Sequence, residues 1–408
     1  MRFWLICVAN FLLLTVVGAD ETEGCRQGGG IPRPVVTNGN DSGPGSLREA
    51  LGQGVCNTVT ISFENDLTVT LESELVLVNN NTTIFAADHN VVIDANQNKV
   101  FTVNGSNSLA IEGLTVINAS SAGNGGAITN GGDLTLDQVT FTNNSATSGN
   151  GGAIYNSGML EINNSTFSGN QAMIGGVVFN DSAGVMNIYN SSFFENSASA
   201  YGLVFFNKGT IVADHITVYK SSGTGISIDN EASLTLRNSI VAGQTSGSSE
   251  CGNIGGTLDI VNSLIESGDC GGGVIGNPVL SDLADNGGPT MTMALGLGSA
   301  AMNTADSQYC GDKDQRGEPR SQYGACDLGA FELDTAPVLY VDVNQGGINK
   351  GACNPGECWQ QAYTNLQDAL AVSGKGSEIW IKAGIYKPDI GQNQFEDDQD
   401  AYFEIPSG

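Results

Sequence analysis

Between Leu109 and Ile265 the chain states one hydrophobic pattern seven times. The octets are LAIEGLTV from Leu109, LTLDQVTF from Leu134, LEINNSTF from Leu160, MNIYNSSF from Met186, IVADHITV from Ile211, LTLRNSIV from Leu234 and LDIVNSLI from Leu258. Their first residues are 25, 26, 26, 25, 23 and 24 positions apart. Within each octet apolar and polar residues alternate, the signature of a strand with one buried face. Self-similarity at a period of about 20–50 residues marks a solenoid. Mainly Gly, Asn and Ser separate the octets, which leaves no room for a crossover helix. The expected fold is all-β. Each period forms one coil of short strands and turns, equivalent strands pair in parallel, and each coil rises roughly 4.8 Å along the axis.

Two finer signals repeat with the coil. Gly-Gly-Ala-Ile occurs at Gly125 to Ile128 and Gly151 to Ile154 and weakens to Gly-Gly-Val-Val at Gly175 to Val178; Phe-x-x-Asn occurs at Phe141 to Asn144, Phe167 to Asn170 and Phe193 to Asn196. Glycine permits φ > 0 at a corner and close approach of stacked backbones. Asparagine tolerates the left-handed region, and its amide can bond a neighbouring coil. Asn118, Asn144, Asn170 and Asn196 are therefore expected to form a stacked ladder. The paired GGA(I) and FxxN motifs resemble the polymorphic outer-membrane protein repeats of bacterial surface β-helices, over about three coils that fade after Asn207. That resemblance implies a right-handed parallel β-helix, in line with the crossover rule for parallel strands.

The flanks are organised differently. Met1 to Ala19 has a basic start at Arg2, an apolar run from Phe3 to Val17 and small residues before Asp20, the pattern of a secretory signal peptide. Residues 20–57 are expected to form an N-terminal cap containing a short helix, with Ser46 and Glu49 at capping-box spacing. The β-helix proper is assigned to 58–276, beginning with two or three irregular coils. The stretch NDSGPGSLREAL resembles the entry of secreted bacterial β-helix proteins with a CSLREA-type N-terminus. Residues 277–333 break the period; DQRG from Asp314 and DLGAFE from Asp327 resemble a choice-of-anchor closing segment. It is expected to cap the last coil, with Arg316 pinned among Asp312, Asp314, Asp327 and Glu332. Calcium is the alternative occupant of those carboxylates, although no EF-hand-like spacing is present. Residues 334–408 form a linker and the truncated start of a second β-helix: LYVDV, a helix with Thr364 and Gln367 at capping-box spacing, then EIWIKAGIY.

Composition adds a location and removes some partners. The chain has 43 acidic and 15 basic residues and a formal net charge of −28, so it is not expected to bind nucleic acid or anionic lipid. After the signal there is no apolar run long enough for a transmembrane helix. Nine cysteines are present, and Cys7 would leave with the signal. The others sit in local pairs, Cys25 with Cys56, Cys251 with Cys270, Cys310 with Cys326 and Cys353 with Cys358, as expected of an exported protein, although eight cysteines admit 105 pairings. No CxxC spacing exists and His89 and His215 are the only histidines, so no metal site is expected from them.

Many parallel β-helices are polysaccharide lyases or glycosidases, and each chemistry has its own residue requirements. The octet span carries only Lys208, Lys220 and Arg237 as cations, each on a different coil, which does not suit a lyase. Glu112 and Asp137 would meet on adjacent coils near the spacing a retaining glycosidase needs. The rest of that column, Asn163, Tyr189, Asp214 and Arg237, adds no second polar constellation. If Ile128, Ile154, Val178 and Phe205 point inward, then Thr129, Tyr155, Phe179 and Phe206 point outward. Tyr155, Phe179 and Phe206 would then offer stacked rings to sugars or apolar surfaces; in the opposite register they fill the core. The expectation is a secreted or cell-surface structural and adhesive module, without cofactor or catalytic residues, whose partner is an extracellular carbohydrate or surface protein. The alternative is a polysaccharide lyase or glycoside hydrolase.

Overall fold

The computed structural model describes residues 33–54, 57–223, 226–244, 249–268, 270, 273–296, 298–320, 325–333, 338–344, 362–372 and 378–387. The predicted signal peptide, Cys25, Cys56, Cys353 and Cys358 lie outside them.

The octet region and the irregular coils before it form a parallel β-solenoid of about nine turns. Sheets of ten, nine, seven and five strands run along it. One central coil shows the section: Ile154–Asn156 in the seven-stranded sheet, Met159–Asn163 in the ten-stranded, Thr166–Ser168 in the nine-stranded and Gln171–Ile174 in the five-stranded. Successive coils pair in parallel and in register, with Leu134 flanked by Leu109 and Leu160.

The octet is not one strand. In LTLDQVTF, Asp133–Asp137 belongs to the ten-stranded sheet and Thr140–Thr142 to the nine-stranded one. The chain turns between them at Gln138, whose φ is 53°. Asn164, Asn190, His215, Asn238 and Asn262 occupy the same corner with φ between 44° and 50°. A left-handed residue reverses the pleat, so the buried positions Leu134 and Leu136 resume at Val139 and Phe141, one residue out of phase. Asn is the non-glycine residue that tolerates this region best. At Gly151, φ is 74° and a Cβ would collide with the carbonyl of Ile154, which explains the glycine of GGAI.

The core is one continuous cluster down the solenoid axis. Phe141, Phe167 and Phe193 stack through it with centroids 5.3 and 5.2 Å apart and ring planes nearly parallel. Burial of each such ring stabilises the fold by roughly 1.5–3 kcal/mol. At one end the short helix Leu47–Leu51 closes the core with Leu47, Ala50 and Leu51. Ser46 accepts the N–H of Glu49 at 3.2 Å, while the Glu49 carboxylate takes the N–H of Gly45 at 2.6 Å. Arg48 pairs with Asp41 at 2.6 Å and holds that carboxyl below its usual range. The first strand of the ten-stranded sheet is Val35–Val36, so the solenoid begins inside the predicted cap.

The described residues of 277–333 dock against the side of the solenoid. This segment, which includes the antiparallel hairpin of Leu280–Ala284 with Thr292–Leu295, lies along the flank. It touches five successive coils, from Ser165 and Thr166 to Asn262. Leu295, Ala301, Leu328 and Phe331 form a second core against Ile240, Ala242 and Leu264 of the nine-stranded sheet.

Separately, Val338–Val341 pairs in parallel with Glu378–Ile381, and helix Leu366–Val372 completes a small core of Leu339, Val341, Tyr363 and Ala369. The helix starts two residues after Thr364, and Asn365 donates its amide to Asp368 at 3.3 Å. Trp380 is half exposed.

Candidate functional site

Polar side chains are organised in columns. Asn144 donates its amide to Asn170, and Asn170 to Asn196, each at 3.0 Å, and all three are fully buried. Asn118 is not a member. It aligns with Asn143, not Asn144, has φ of 57° and donates to Asp94 at 3.2 Å. Ala119 takes the ladder position, its N–H bonding Oδ1 of Asn144 at 2.9 Å.

A longer ladder was missed. Asn130, Asn156, Asn180, Asn207, Asn230 and Asn253 pass amide hydrogen bonds along the seven-stranded sheet at 2.7–2.9 Å. Its signal is visible as the Asn two residues after the last position of each GGAI-type motif: ITN, IYN, VFN, FFN and IDN.

The aromatic column points away from the core, since Ile128, Ile154, Val178 and Phe205 are the inward set. Its rings cover one another. Tyr155 stacks on Phe179 and Phe179 on Phe206, both at 5.3 Å between centroids. Lys208 lies 5.6 Å from the Phe206 centroid and Tyr201 tilts against the same ring. Phe179 and Phe206 are only 6% and 5% exposed, so the column is a covered stack rather than an open platform. Tyr155 donates its hydroxyl to Asp181 at 2.5 Å, and burial together with that carboxylate pushes its pKa up to about 12.

Glu112 and Asp137 are register partners on adjacent strands. Burial raises the pKa of both, and for Glu112 the charges of Asp137 and Asp88 add to it. Asp137 accepts the Asn164 amide at 2.9 Å. The column continues through Asn163, Tyr189, Asp214 and Arg237.

A further buried polar region lies between the solenoid corner and the closing segment. Asn190 donates to the carbonyl of Lys313 at 3.0 Å, Asn238 exchanges two bonds with Asp306, and Asn262 donates to the carbonyl of Thr304. Gln315, 1% exposed, donates to Thr166 and Thr290 at 2.9 Å and accepts from Ser192 at 2.7 Å. Arg316 pairs with Asp314 at 2.8 Å and lies 3.7 Å from the centre of the Phe331 ring.

Arg320, which sequence reasoning passed over, is the more buried cation. Its guanidinium meets Glu332 at 3.3 Å, Asn190 at 3.0 Å and the carbonyl of Gly329 at 2.9 Å. Burial lowers its pKa, opposed by Glu332, Asp314 and Asp327. Asp314 accepts from Arg316 N, Glu318 N, Arg316 Nε and Glu332 N, and Asp327 from Asn303 N and Leu333 N. These carboxylate oxygens already serve internal donors, which argues against the calcium alternative.

Cys251 with Cys270 and Cys310 with Cys326 lie at disulfide distance, with Cα separations of 5.8 and 6.2 Å. Cys326 Sγ is 3.7 Å from Nε2 of His215. Nδ1 of His215 lies 2.9 Å from Oδ1 of Asp214, close but off the line of an aligned hydrogen bond. Burial first, and the charge of Arg320 second, push the pKa of His215 down to about 4, so its ring is neutral at neutral pH.

The fold thus defines a parallel β-solenoid with a laterally docked closing segment. Among the described residues no helix is long and apolar enough to cross a membrane. No protein-family model matches the chain, and no curated protein matches it in sequence.

Proposed function

We propose that the chain is a secreted bacterial β-helix repeat protein acting at the cell surface as a structural and adhesive module without catalytic function. The observation that carries this reading is where the buried polar side chains go: two asparagine ladders and the corner-to-segment bonds join coil to coil and flank to coil. Such bonding favours a stiff rod with long outer faces, suited to spacing and contact. The apolar N-terminal stretch, the net charge of −28 and the paired cysteines support an exported location. The partner class is an extracellular carbohydrate or a surface protein.

A second reading follows from Glu112 and Asp137. Two carboxylates in register, with raised pKa values, have the form of a glycosidase acid and its partner. The deciding experiment is turnover of a panel of acidic and neutral polysaccharides, with and without calcium, by the native chain and by the Glu112→Gln, Asp137→Asn double variant. No turnover by either supports the module. Robust native turnover that the double variant loses replaces it with the hydrolase.

A further inference from the structure

We infer that His215, Cys310 and Cys326 form a site for one thiophilic metal ion, Zn²⁺ or a similar divalent cation, when the two cysteines are reduced. The bridged and metal-bound forms exclude each other. Three observations carry this, all beyond the module reading above.

The first is convergence. The imidazole nitrogen and both sulfurs lie within 4.8 Å of one another, although His215 belongs to the solenoid and the cysteines to the closing segment. In a tetrahedral site with Zn–S of about 2.3 Å and Zn–N of about 2.0–2.1 Å, the N···S edge is about 3.6 Å. The separation of Nε2 and Cys326 Sγ is 3.7 Å.

The second is ligand state. His215 is 3% exposed and its Nδ1 sits beside the buried Asp214 carboxylate, leaving Nε2 to face the sulfurs. A carboxylate behind the ligating histidine is the usual outer support of such sites. That Asp214 oxygen has no aligned hydrogen-bond partner of its own.

The third is the departure from the corner pattern. Asn164, Asn190, Asn238 and Asn262 fill the equivalent corner, and His215 stands in their place on the coil that faces Cys326. Two thiolates and a divalent cation sum to zero charge, so occupancy adds no net charge beside the buried Arg320 and Glu332 pair.

A dithiol reductant passes two electrons and two protons to the Cys310–Cys326 bond and is itself oxidised to a cyclic disulfide; the S–S bond breaks and two thiols form. Binding of M²⁺ to both sulfurs and to Nε2 then releases the two thiol protons. Water completes the coordination on the Cys310 side, which is only half-buried. A bound metal thus fastens the closing segment to the corner through His215, whereas the bridge that replaces it on oxidation joins two points of the closing segment itself.

The test uses the full chain, reduced, desalted under anaerobic conditions, and titrated with Co²⁺ and then Zn²⁺. Cys310→Ser and His215→Asn serve as variants, with circular dichroism confirming the fold. Asn suits this corner on the four coils named, so His215→Asn removes the ligand and keeps the turn. The reduced native chain should take up one equivalent of Co²⁺ with thiolate charge-transfer absorption that Zn²⁺ displaces, and both variants should lack that equivalent. Asp214→Asn should keep the absorption and bind Zn²⁺ about 10–100-fold more weakly. Oxidised native protein should show no such uptake. Identical titrations of the native chain and His215→Asn, or no thiolate absorption in the reduced native chain, overturn the proposal.

Discussion

Oδ1 of Asn196 receives two hydrogen bonds from Asn170 one coil away, the side-chain amide at 3.0 Å and the backbone N–H at 2.9 Å. Asn170 repeats both contacts with Asn144. The Asn170 amide therefore serves four buried groups, the backbone N–H and side-chain amide of Asn144, the carbonyl of Phe141 and Oδ1 of Asn196. Asn170→Ala should lower stability by about 1–3 kcal/mol, because a buried group that loses its partner keeps its desolvation cost. Asn118 is the internal control: it needs φ of 57° more than it needs an amide. Asn118→Gly should shift the denaturant midpoint little, whereas Asn170→Gly should shift it as much as the alanine variant. Equal shifts at both sites would remove the distinction between ladder and corner.

The aromatic stack gives a second expectation. Phe167 lies between Phe141 and Phe193 and is fully buried. Phe167→Ala should cost about 3–5 kcal/mol, since neighbouring coils tied by backbone ladders cannot collapse into the cavity. Equilibrium denaturation in guanidinium measures it.

Arg320 is expected to hold the closing segment. Arg320→Met removes the buried guanidinium that faces Glu332 and Asp327, at a cost of about 3–5 kcal/mol. Limited proteolysis should then cut within 298–333 while the solenoid stays resistant. Gly329→Ala probes the same dock without touching charge: φ is 86° and a Cβ would meet Thr217 Oγ1 at 2.6 Å. Proteolytic patterns unchanged in both variants would show that the segment is held elsewhere.

The carboxylate pair predicts a pH dependence. Burial raises the folded pKa of Glu112 above its ordinary value, so its contribution to stability is complete below that value and declines as pH rises through the folded pKa. Glu112→Gln removes this decline. Relative to the native chain the variant should gain stability between acid and neutral pH, with no relative gain at the acid end. Thermal denaturation across that range checks the sign.

The repeat, the parallel pairing and the registers were legible in the chain because they rest on local rules. A pleated strand alternates its faces, and a constant period returns the same residue to the same sheet, so Leu134 could be placed beside Leu109 and Leu160. The corner inside the octet was not read from the chain, because the one-residue slip between Leu136 and Val139 acquires meaning only with the left-handed residue that causes it. Asn118 was misplaced for the same reason: spacing does not separate the corner amide from the ladder amide one residue on. Tertiary structure alone decided the flank. Ala330 meets Thr217 across 113 positions, and Gln315 meets Thr166 across 149. Neither DQRG nor DLGAFE carries a periodicity that points to a particular coil. Their partners are chosen by which corner side chains the stacking leaves facing outward, and that exists only after the solenoid has formed. The meeting of His215 with Cys310 and Cys326 belongs to the same class, because it depends on where a non-repeating segment comes to rest on a repeating one.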